Sequence, residues 1–289
     1  MRTFFDCIPC FVRQTLESVR IVTDDEAVHE QTLRGALSLL GEMDLRQSPP
    51  AMAQRIHRLI RELTGQDDPY RSIKDRFNRL AMDIYPELEA RVRAADDPLS
   101  LAVRLAIAGN VIDMGINNHL RDDEVHDAID HALAAPLDAE IPALREAIAQ
   151  AVDILYLADN AGEIVFDKLL IGQMPLAKVT VAVRGGPIIN DVTIQDARDV
   201  GITEMVEVID NGSDAPGTIL SDCSEAFRQR FDSADLVIAK GQGNYETLNE
   251  AGREMFFILK AKCPVIARDL GCEIGSLVLR RARCAQQAL

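Results

Sequence analysis

The sequence lacks any long apolar segment. No stretch reaches the ~18 uninterrupted apolar residues that a membrane-spanning helix requires, and even the run AVDILYLA carries a charge at Asp153. The first residues, MRTFFDCIPC, contain no apolar core of the kind found in secretory signals. We therefore expect a cytoplasmic protein without a membrane partner.

Basic residues are also scarce. The 289-residue chain has 31 lysines and arginines against 46 aspartates and glutamates, which gives a formal net charge of −15. Such a surface repels a phosphate backbone, so we do not expect a nucleic-acid partner. A negative field attracts divalent cations, although an acidic balance also serves simply to keep a protein in solution.

Repeats and low-complexity segments are absent, and the composition is that of a globular protein. Apolar residues make up 47% and charged residues 27% of the chain, which excludes collagen-like, coiled-coil and disordered classes. The length is about twice that of a typical domain. We expect one large domain or two closely joined ones.

The sequence changes character near residue 150. Over 1–150, apolar residues recur at helical spacing, which predicts a helical bundle or cap. Over 151–289, short apolar runs alternate with longer amphipathic stretches, which is typical of strands covered by helices on both faces. We therefore predict an α/β protein with a Rossmann-like parallel or mixed sheet after an all-helical N-terminal domain. The predicted strands are 154–158, 179–183, 206–209, 236–239 and 265–267, and 211–217 is predicted as an exposed turn.

Polar residues follow the first of these strands directly. Asp159 and Asn160 stand at its end, and a predicted helix begins near Glu163. Ligands of open α/β sheets collect beyond the carboxyl ends of the strands. The amides at the helix start suit an anion, whereas Asp159 and the Asn160 side-chain oxygen suit a hard cation, as a metal-bridged phosphate ester requires. Capping of the helix explains the same residues equally well.

The second predicted strand ends in Arg184, two glycines and a proline, and Asn190 and Asp191 follow. Arg184 can hold a phosphate through two hydrogen bonds, and the glycines let the backbone approach closely. Asp191 offers a second carboxylate one strand–helix–strand unit after Asp159, and consecutive parallel strands often lie side by side. The two carboxylates could therefore share one ion, although each alone could be a solvated turn residue.

The fourth predicted strand ends in Lys240 and the segment GQGNY. Its glycine spacing resembles a dinucleotide fingerprint, but Glu246 stands at the third glycine position and the motif does not follow the first strand. A nicotinamide cofactor is therefore not indicated. Further along, Lys260 or Lys262 could face the crevice beyond the carboxyl ends of the strands, although lysines at such positions are often solvated.

The cysteines show no complete metal pattern. Cys7 and Cys10 form a CxxC without a second CxxC or a spaced histidine pair, so a structural zinc site is not supported. The motif does not follow a strand, which argues against a thioredoxin-like site. A soft metal site completed by Cys263, a redox lock and plain burial all stay open.

Taken in order, LADNAGEIVFDKLL, VRGGPIINDVT, IAKGQGNYETL and LKAKCPVIA resemble the damage-control phosphatase family, formerly domain of unknown function 89. More narrowly, the chain resembles the prokaryotic branch of this family, which has CxxC near the start and Lys-Cys near the end, here Cys7/Cys10 and Lys262-Cys263. The resemblance covers nearly the whole chain. It implies a metal-dependent phosphatase that acts on small phosphorylated metabolites, with a helical domain packed on a Rossmann-like one.

The resemblance also implies roles for individual residues. Asp159, Asn160 and Asp191 would hold a divalent metal (Mg, Mn, Co or Ni), and Lys260 would face the phosphate. The sugar-phosphate branch has Arg-Thr-x-Lys where this chain has Phe-Ile-Leu-Lys up to Lys260, which argues against a sugar phosphate. The residues expected to bind substrate are Arg184, Asn190, Lys240, Gly241, Asn244 and Lys260.

We expect a metal-activated water to attack the phosphoryl group. An aspartyl-phosphate route of the haloacid-dehalogenase kind needs a carboxylate two residues after Asp159, where Ala161 stands. Glu163 is the nearer candidate to orient the water, whereas Asp167 is expected on a solvated helix surface. Two other functions stay open: an S-adenosylmethionine-dependent carboxyl methyltransferase, although only Gly162 follows the first strand, and a non-catalytic metal- or metabolite-binding protein.

The helical half is expected to cap the crevice. Asn110 and Asp113 could support the site from there, and Lys74 and Asn78 form a polar helix face. Solvation or contacts within the bundle would explain all four residues as well.

Overall fold

The structure, a computed structural model, describes residues 1–109, 127, 129–130 and 133–282, without the side chains of 138 and 139. Asn110 and Asp113 lie outside these residues. None of the helices in the described ranges is both long and apolar enough to cross a bilayer.

Helices dominate the N-terminal part, as predicted. The first three helices pack around a small core of their own that includes Phe11, Met52 and Ile60, whereas the next two pack on the main core beside the sheet. Prolines at the first turns of the third and fifth helices suit those positions because their φ is already helical. The helices are α1 (Cys7–Val22), α2 (Glu26–Gly41), α3 (Pro49–Thr64), α4 (Arg71–Ala94) and α5 (Pro98–Ala108).

A mixed seven-stranded sheet runs through the rest of the described chain, which confirms the predicted fold class. Its spatial order is β1-β7-β6-β5-β2-β3-β4. Five neighbouring strands of this order run parallel to one another, namely β6, β5, β2, β3 and β4. Strand β7 is antiparallel to β6, and β1 is parallel to β7. The strands are β1 (Leu137–Ala139), β2 (Ile154–Leu157), β3 (Val179–Val183), β4 (Glu207–Asp210), β5 (Leu236–Lys240), β6 (Met255–Lys260) and β7 (Leu277–Ala282).

Helices cover both faces of this sheet. Alternate residues of β2 enter two separate cores, with Ile154 and Tyr156 on one face and Leu155 and Leu157 on the other. Because both faces are buried, the strand reads as a continuous apolar run. The helices are α6 (Ile141–Gln150), α7 (Glu163–Ile171), α8 (Ile194–Asp199), α9 (Glu225–Ser233), α10 (Gly241–Leu248) and α11 (Pro264–Leu270).

The strand order places a crevice next to β2. The strand that follows β2 in the chain, β3, lies on one side of it, and β5 lies on the other. Such a switch point opens a crevice beyond the carboxyl ends of the strands, where ligands of α/β proteins bind.

Two local predictions are wrong. The segment 265–267 is helical and belongs to α11, while the fifth parallel strand is β6. Periodicity cannot separate a short buried helix from a buried strand, and Pro264 at the first turn of α11 favours the helix. The segment 211–217 is largely buried, with Asn211 and Ala215 at 1% and 0% exposure, because α3 packs over it.

Residues before 150 also enter the sheet. Strand β1 pairs with β7. The short helix α6 follows β1 in the chain and packs in the core that α4 and α5 share with the sheet. The division of the chain into domains at residue 150 stays a prediction.

Candidate active site

The ends of β2 and β3 bring the predicted aspartates together. Asn160 and Asp191 pair as an isolated antiparallel bridge, and the Val192 amide donates to the Asp159 carbonyl at 2.9 Å. The Ala161 amide donates to the Asn190 carbonyl at 2.9 Å as well. The chain after β3 therefore folds back over the end of β2, and Asp159 and Asp191 face one site.

The Arg184 guanidinium lies between the two aspartates. Its Nε donates to Asp191 Oδ2 at 2.7 Å, and its Nη2 lies 3.7 Å from Asp159 Oδ1. The side chain is only 1% exposed, and no described residue accepts a hydrogen bond from Nη2. A buried guanidinium donor thus points into the site without an acceptor.

Gly241 brings the end of β5 against Asp159. Its φ is 78°, a left-handed value that favours glycine, and a Cβ there would lie 1.8 Å from Asp159 Oδ2. Asn244, one turn later, donates to the carbonyls of Ala158 at 3.2 Å and Lys240 at 2.7 Å. Gly241 makes room for the carboxylate, and Asn244 ties the two strand ends together.

A buried cluster of charges lies next to these strand ends. Lys240 Nζ donates to Glu163 Oε1 at 2.7 Å, Asp167 Oδ1 at 2.6 Å and the Ala106 carbonyl at 2.9 Å. All three ammonium hydrogens thus have protein acceptors, and a phosphate contact by Lys240 stays a prediction. The expectation of a solvated Asp167 is wrong, since its side chain is fully buried.

The charges of this cluster shift one another's pKa. Burial raises the pKa of Asp167 to about 6, although Lys240 works in the opposite direction. Burial alone would lower the pKa of Lys240, but Asp167 and Glu163 hold that pKa above its ordinary value. The lysine is therefore the charged group that permits these acids to be buried.

Asn160 connects the cluster to Asp159. Its Nδ2 donates to Asp159 Oδ2 at 2.8 Å and to Glu163 Oε2 at 3.1 Å. Burial, Glu163 and Asp191 together raise the pKa of Asp159 well above its ordinary value, although Arg184 and Lys262 lower it. A bound cation would favour the ionised form of Asp159.

The donor atoms at the site suit a hard cation. Asp159 and Asp191 offer carboxylate oxygens. Asn160 offers its amide oxygen, because its amide nitrogen already donates to the carboxylates of Asp159 and Glu163. Across the described ranges, no group of three or more His, Cys, Asp or Glu side chains is placed to hold a metal ion. A cation would therefore need water or substrate oxygens to fill its coordination, as Mg²⁺ commonly does.

We expected the backbone amides around the start of α7 to bind the anion. This expectation is wrong for four of these amides, because each donates its hydrogen bond within the protein. The Gly162 amide donates to Asn78 Oδ1 at 2.7 Å, and the Ala161, Ile164 and Val165 amides donate to backbone carbonyls. Helix α4 thus contacts the segment before α7 through Asn78. Lys74 is buried too and pairs with Asp196 at 3.1 Å, so contacts between elements explain this polar helix face.

Lys262 is a lysine that lowers the pKa of Asp159. Its side chain is exposed, whereas Lys260, at the end of β6, is half-buried. Burial and the charge of Lys262 lower the pKa of Lys260. The sequence named both lysines as candidates, and the choice of Lys260 for the phosphate came from the family resemblance.

Comparison with known proteins identifies the family. The family model described as the damage-control phosphatase ARMT1-like domain matches residues 3–278. The chain belongs to the damage-control phosphatase family. It is 34% identical to a protein of Archaeoglobus fulgidus named a damage-control phosphatase, with 95% of this chain and 97% of that protein covered.

Two further comparisons agree. A damage-control phosphatase of Pyrococcus horikoshii is 34% identical to this chain, with 97% of this chain and 98% of that protein covered. The crystal structure of a DUF89 family protein from the same organism superimposes with a TM-score of 0.90 at 32% identity. That match covers 98% of this chain and 100% of the other, so the two share the whole fold.

Proposed function

We propose that this chain is a cytoplasmic, metal-dependent phosphatase that hydrolyses phosphate monoesters of small metabolites by direct attack of water. The observation that carries the proposal is the Arg184 guanidinium between Asp159 and Asp191, with its buried Nη2 lacking an acceptor among the described residues. A buried unsatisfied donor costs about 1–3 kcal/mol. A phosphoryl oxygen would supply the acceptor, and two relatives carry the phosphatase name.

Asp159, Asn160 and Asp191 would hold the divalent cation, whether Mg, Mn, Co or Ni. Support comes from their oxygen donors and from the raised pKa of Asp159, which reflects burial first and then the neighbouring carboxylates of Glu163 and Asp191. When bound, such an ion polarises a phosphoryl oxygen and lowers the pKa of a bound water.

The protein's own groups supply the remaining chemistry. Arg184 binds a phosphoryl oxygen through Nη2 and offsets the negative charge that grows there during transfer. Glu163 is held by Lys240 at one oxygen and by Asn160 at the other, so it is fixed in position to orient the attacking water. Lys262 adds a positive charge near Asp159. Substrate contacts by Asn190, Gly241, Asn244 and Lys260 stay predictions.

The proposal is tested by substitution of Asp191 in the full chain. Asp191→Asn keeps the shape of the side chain but removes the charge that would bind the cation. We expect kcat for release of phosphate from p-nitrophenyl phosphate with Mg²⁺, Mn²⁺, Co²⁺ or Ni²⁺ to fall at least about 100-fold. EDTA should abolish turnover by the unsubstituted protein.

Asp232→Asn is the control, because Asp232 is exposed on α9 and has no part in the site. It should retain full activity. Metal-stimulated turnover by a folded Asp191→Asn protein at the unsubstituted rate would contradict the proposal, as would turnover that EDTA leaves unchanged.

A further inference from the structure

A cavity of about 440 Å³ lies between α1, the start of α3, α10 and the segment that follows β6. This volume falls within the range of pockets that hold small organic ligands, roughly 300–1,000 Å³. The mechanism above uses none of its apolar walls. These include Phe11, Pro50, Ala53, Pro216, Pro264 and Val265.

The cavity adjoins the candidate active site. Lys262 is part of its wall and also contributes to lowering the pKa of Asp159. Gly243, another wall residue, lies two positions after Gly241, which packs against Asp159. Lys262 and Gly243 therefore connect the cavity wall to the surroundings of Asp159.

A strained residue stands where the cavity meets the site. Ile189 has a φ of 44°, and in the described part of the chain it is the only residue other than glycine with a positive φ. A β-branched residue rarely adopts this conformation, which is strained and is kept mainly at functional sites. The side chain of Ile189 forms part of the cavity wall directly before Asn190 and Asp191.

The interior of the cavity offers little polar chemistry. Asp6, Arg13 and Glu17 are exposed, so their charges lie at its rim. Glu246 is buried, accepts a hydrogen bond from Gln242 at 2.8 Å, and has a pKa that burial raises to about 7.

Apart from Gln242, the remaining polar wall residues are the half-buried Gln14, the exposed Lys262 and three cysteines. Three free thiols, Cys7, Cys10 and Cys263, line the same cavity. The Gln242 amide that bonds Glu246 also lies 3.7 Å from the Cys263 sulfur. A sugar, whose hydroxyls each need a partner, fits such walls poorly.

We infer that this cavity binds the organic part of the substrate, and that the substrates are phosphate monoesters of uncharged, mainly apolar alcohols. The inference rests on the proposed function, because it takes the phosphate to bind at Arg184. The cavity walls then set the specificity of the reaction.

Alkyl phosphates test the inference with the full chain and Mg²⁺. Ethyl phosphate and hexyl phosphate have leaving groups of similar reactivity, so a difference in kcat/KM reports binding of the longer chain. We expect kcat/KM to be at least about tenfold higher for hexyl phosphate, because each buried methylene strengthens binding. Ribose 5-phosphate should be no better than ethyl phosphate, and a preference for it over hexyl phosphate would overturn the inference.

A cavity-filling variant gives the second arm. Cys10→Trp places a bulky ring at an exposed position of α1 that lines the cavity, and Arg20→Trp does the same on α1 outside it. Cys10→Trp should lower kcat/KM for hexyl phosphate about tenfold and leave ethyl phosphate within twofold. Arg20→Trp should change neither, and equal effects of the two variants on hexyl phosphate would count against the cavity.

Thiol labelling gives an arm that needs neither turnover nor a variant. N-ethylmaleimide should modify the exposed Cys10, and peptide mass mapping measures the rate, with Cys272 as an internal reference. Hexylphosphonate with Mg²⁺ should slow labelling of Cys10 at least fivefold, whereas inorganic phosphate should not.

The hydrolysis and labelling experiments distinguish the proposed phosphatase function from the proposed role of the cavity. Protection of Cys10 without any hydrolysis would support the cavity while the proposed phosphatase function fails. Metal-dependent hydrolysis of ethyl phosphate, without chain-length preference and without protection, would overturn the cavity while the phosphatase function stands.

Discussion

At the scale of single residues, Gly241 determines where the Asp159 carboxylate can lie. The two residues follow different strands, Asp159 after β2 and Gly241 after β5, and only the missing side chain of Gly241 lets them meet. Its positive φ adds a second requirement for glycine. The position therefore links backbone conformation directly to the geometry of the site.

Gly241→Ala should disable the enzyme. The new methyl group would overlap Asp159 Oδ2, so the carboxylate has to move, and we expect kcat for p-nitrophenyl phosphate to fall at least about 100-fold. We also expect the free energy of unfolding, measured with urea, to fall by more than the roughly 1–2 kcal/mol that a left-handed φ alone costs an alanine.

Gly252→Ala is the matched control. Gly252 has nearly the same φ, 72°, but a Cβ there would meet nothing within 4 Å. It should lose only the conformational part of the stability and keep its activity. If both variants behaved alike, contact with Asp159 would not be the reason for glycine at position 241.

At the scale of elements, Lys240 joins three of them. It ends β5, and its ammonium group reaches the last turns of α5 through Ala106 and the start of α7 through Glu163 and Asp167. Lys240→Met would leave the two acids buried without their cation. We expect the free energy of unfolding in urea to fall by about 3–5 kcal/mol.

The double variant Lys240→Met with Asp167→Asn checks this account. Removing one of the buried charges should restore part of the lost stability, because the cost arises from unpaired acids. A double variant less stable than Lys240→Met by the full effect of Asp167→Asn alone would show that the residues act independently.

Asp214 fastens α3 to the loop after β4. Gln54 donates to it at 2.7 Å, and Arg58 and Arg61 both pair with it. Burial alone would raise the pKa of Asp214, but these partners lower the pKa to about 2. The carboxylate thus stabilises the folded state when ionised.

Asp214→Asn should therefore lower stability in a pH-dependent way. Because the folded pKa lies below the unfolded value, the contribution is complete above about pH 4.5 and is lost as the pH falls toward 2. We expect a loss on the order of 1 kcal/mol at pH 7, discounted for partial exposure, and about half of that at pH 3.

Urea unfolding at both pH values measures the effect, with Asp67→Asn as the control at an exposed position close to the end of α3. A loss of stability for Asp214→Asn that is as large at pH 3 as at pH 7 would contradict the assignment of the low pKa to Asp214.

At the scale of the whole molecule, the sequence predicted the architecture well where burial is symmetrical. Strands β2, β3 and β5 are buried on both faces, so each appears as an apolar run and was predicted within a residue or two. The approach of Asp191 to Asp159 also followed from the order of neighbouring strands.

Other elements gave no local signal. Strand β1 is three residues long, and β7 ends in two arginines and an alanine, so neither has an alternating or continuous apolar pattern. The burial of Asp167 depends on Lys240, which is far away in the sequence. The partners of the α7 amides depend on Asn78 in another helix. Such features arise from tertiary contacts, which periodicity does not record.

The pairing of β1 with β7 has a consequence for how the protein is made. Strand β1 leaves the ribosome well before β7, its hydrogen-bonding neighbour at the sheet margin. Until the later segment has been translated, Leu137–Ala139 has no strand to join, and β6 lacks its cover on that side. A nascent chain stalled before residue 277 would thus expose an unpaired strand edge, which is prone to aggregation and is the kind of surface that chaperones shield.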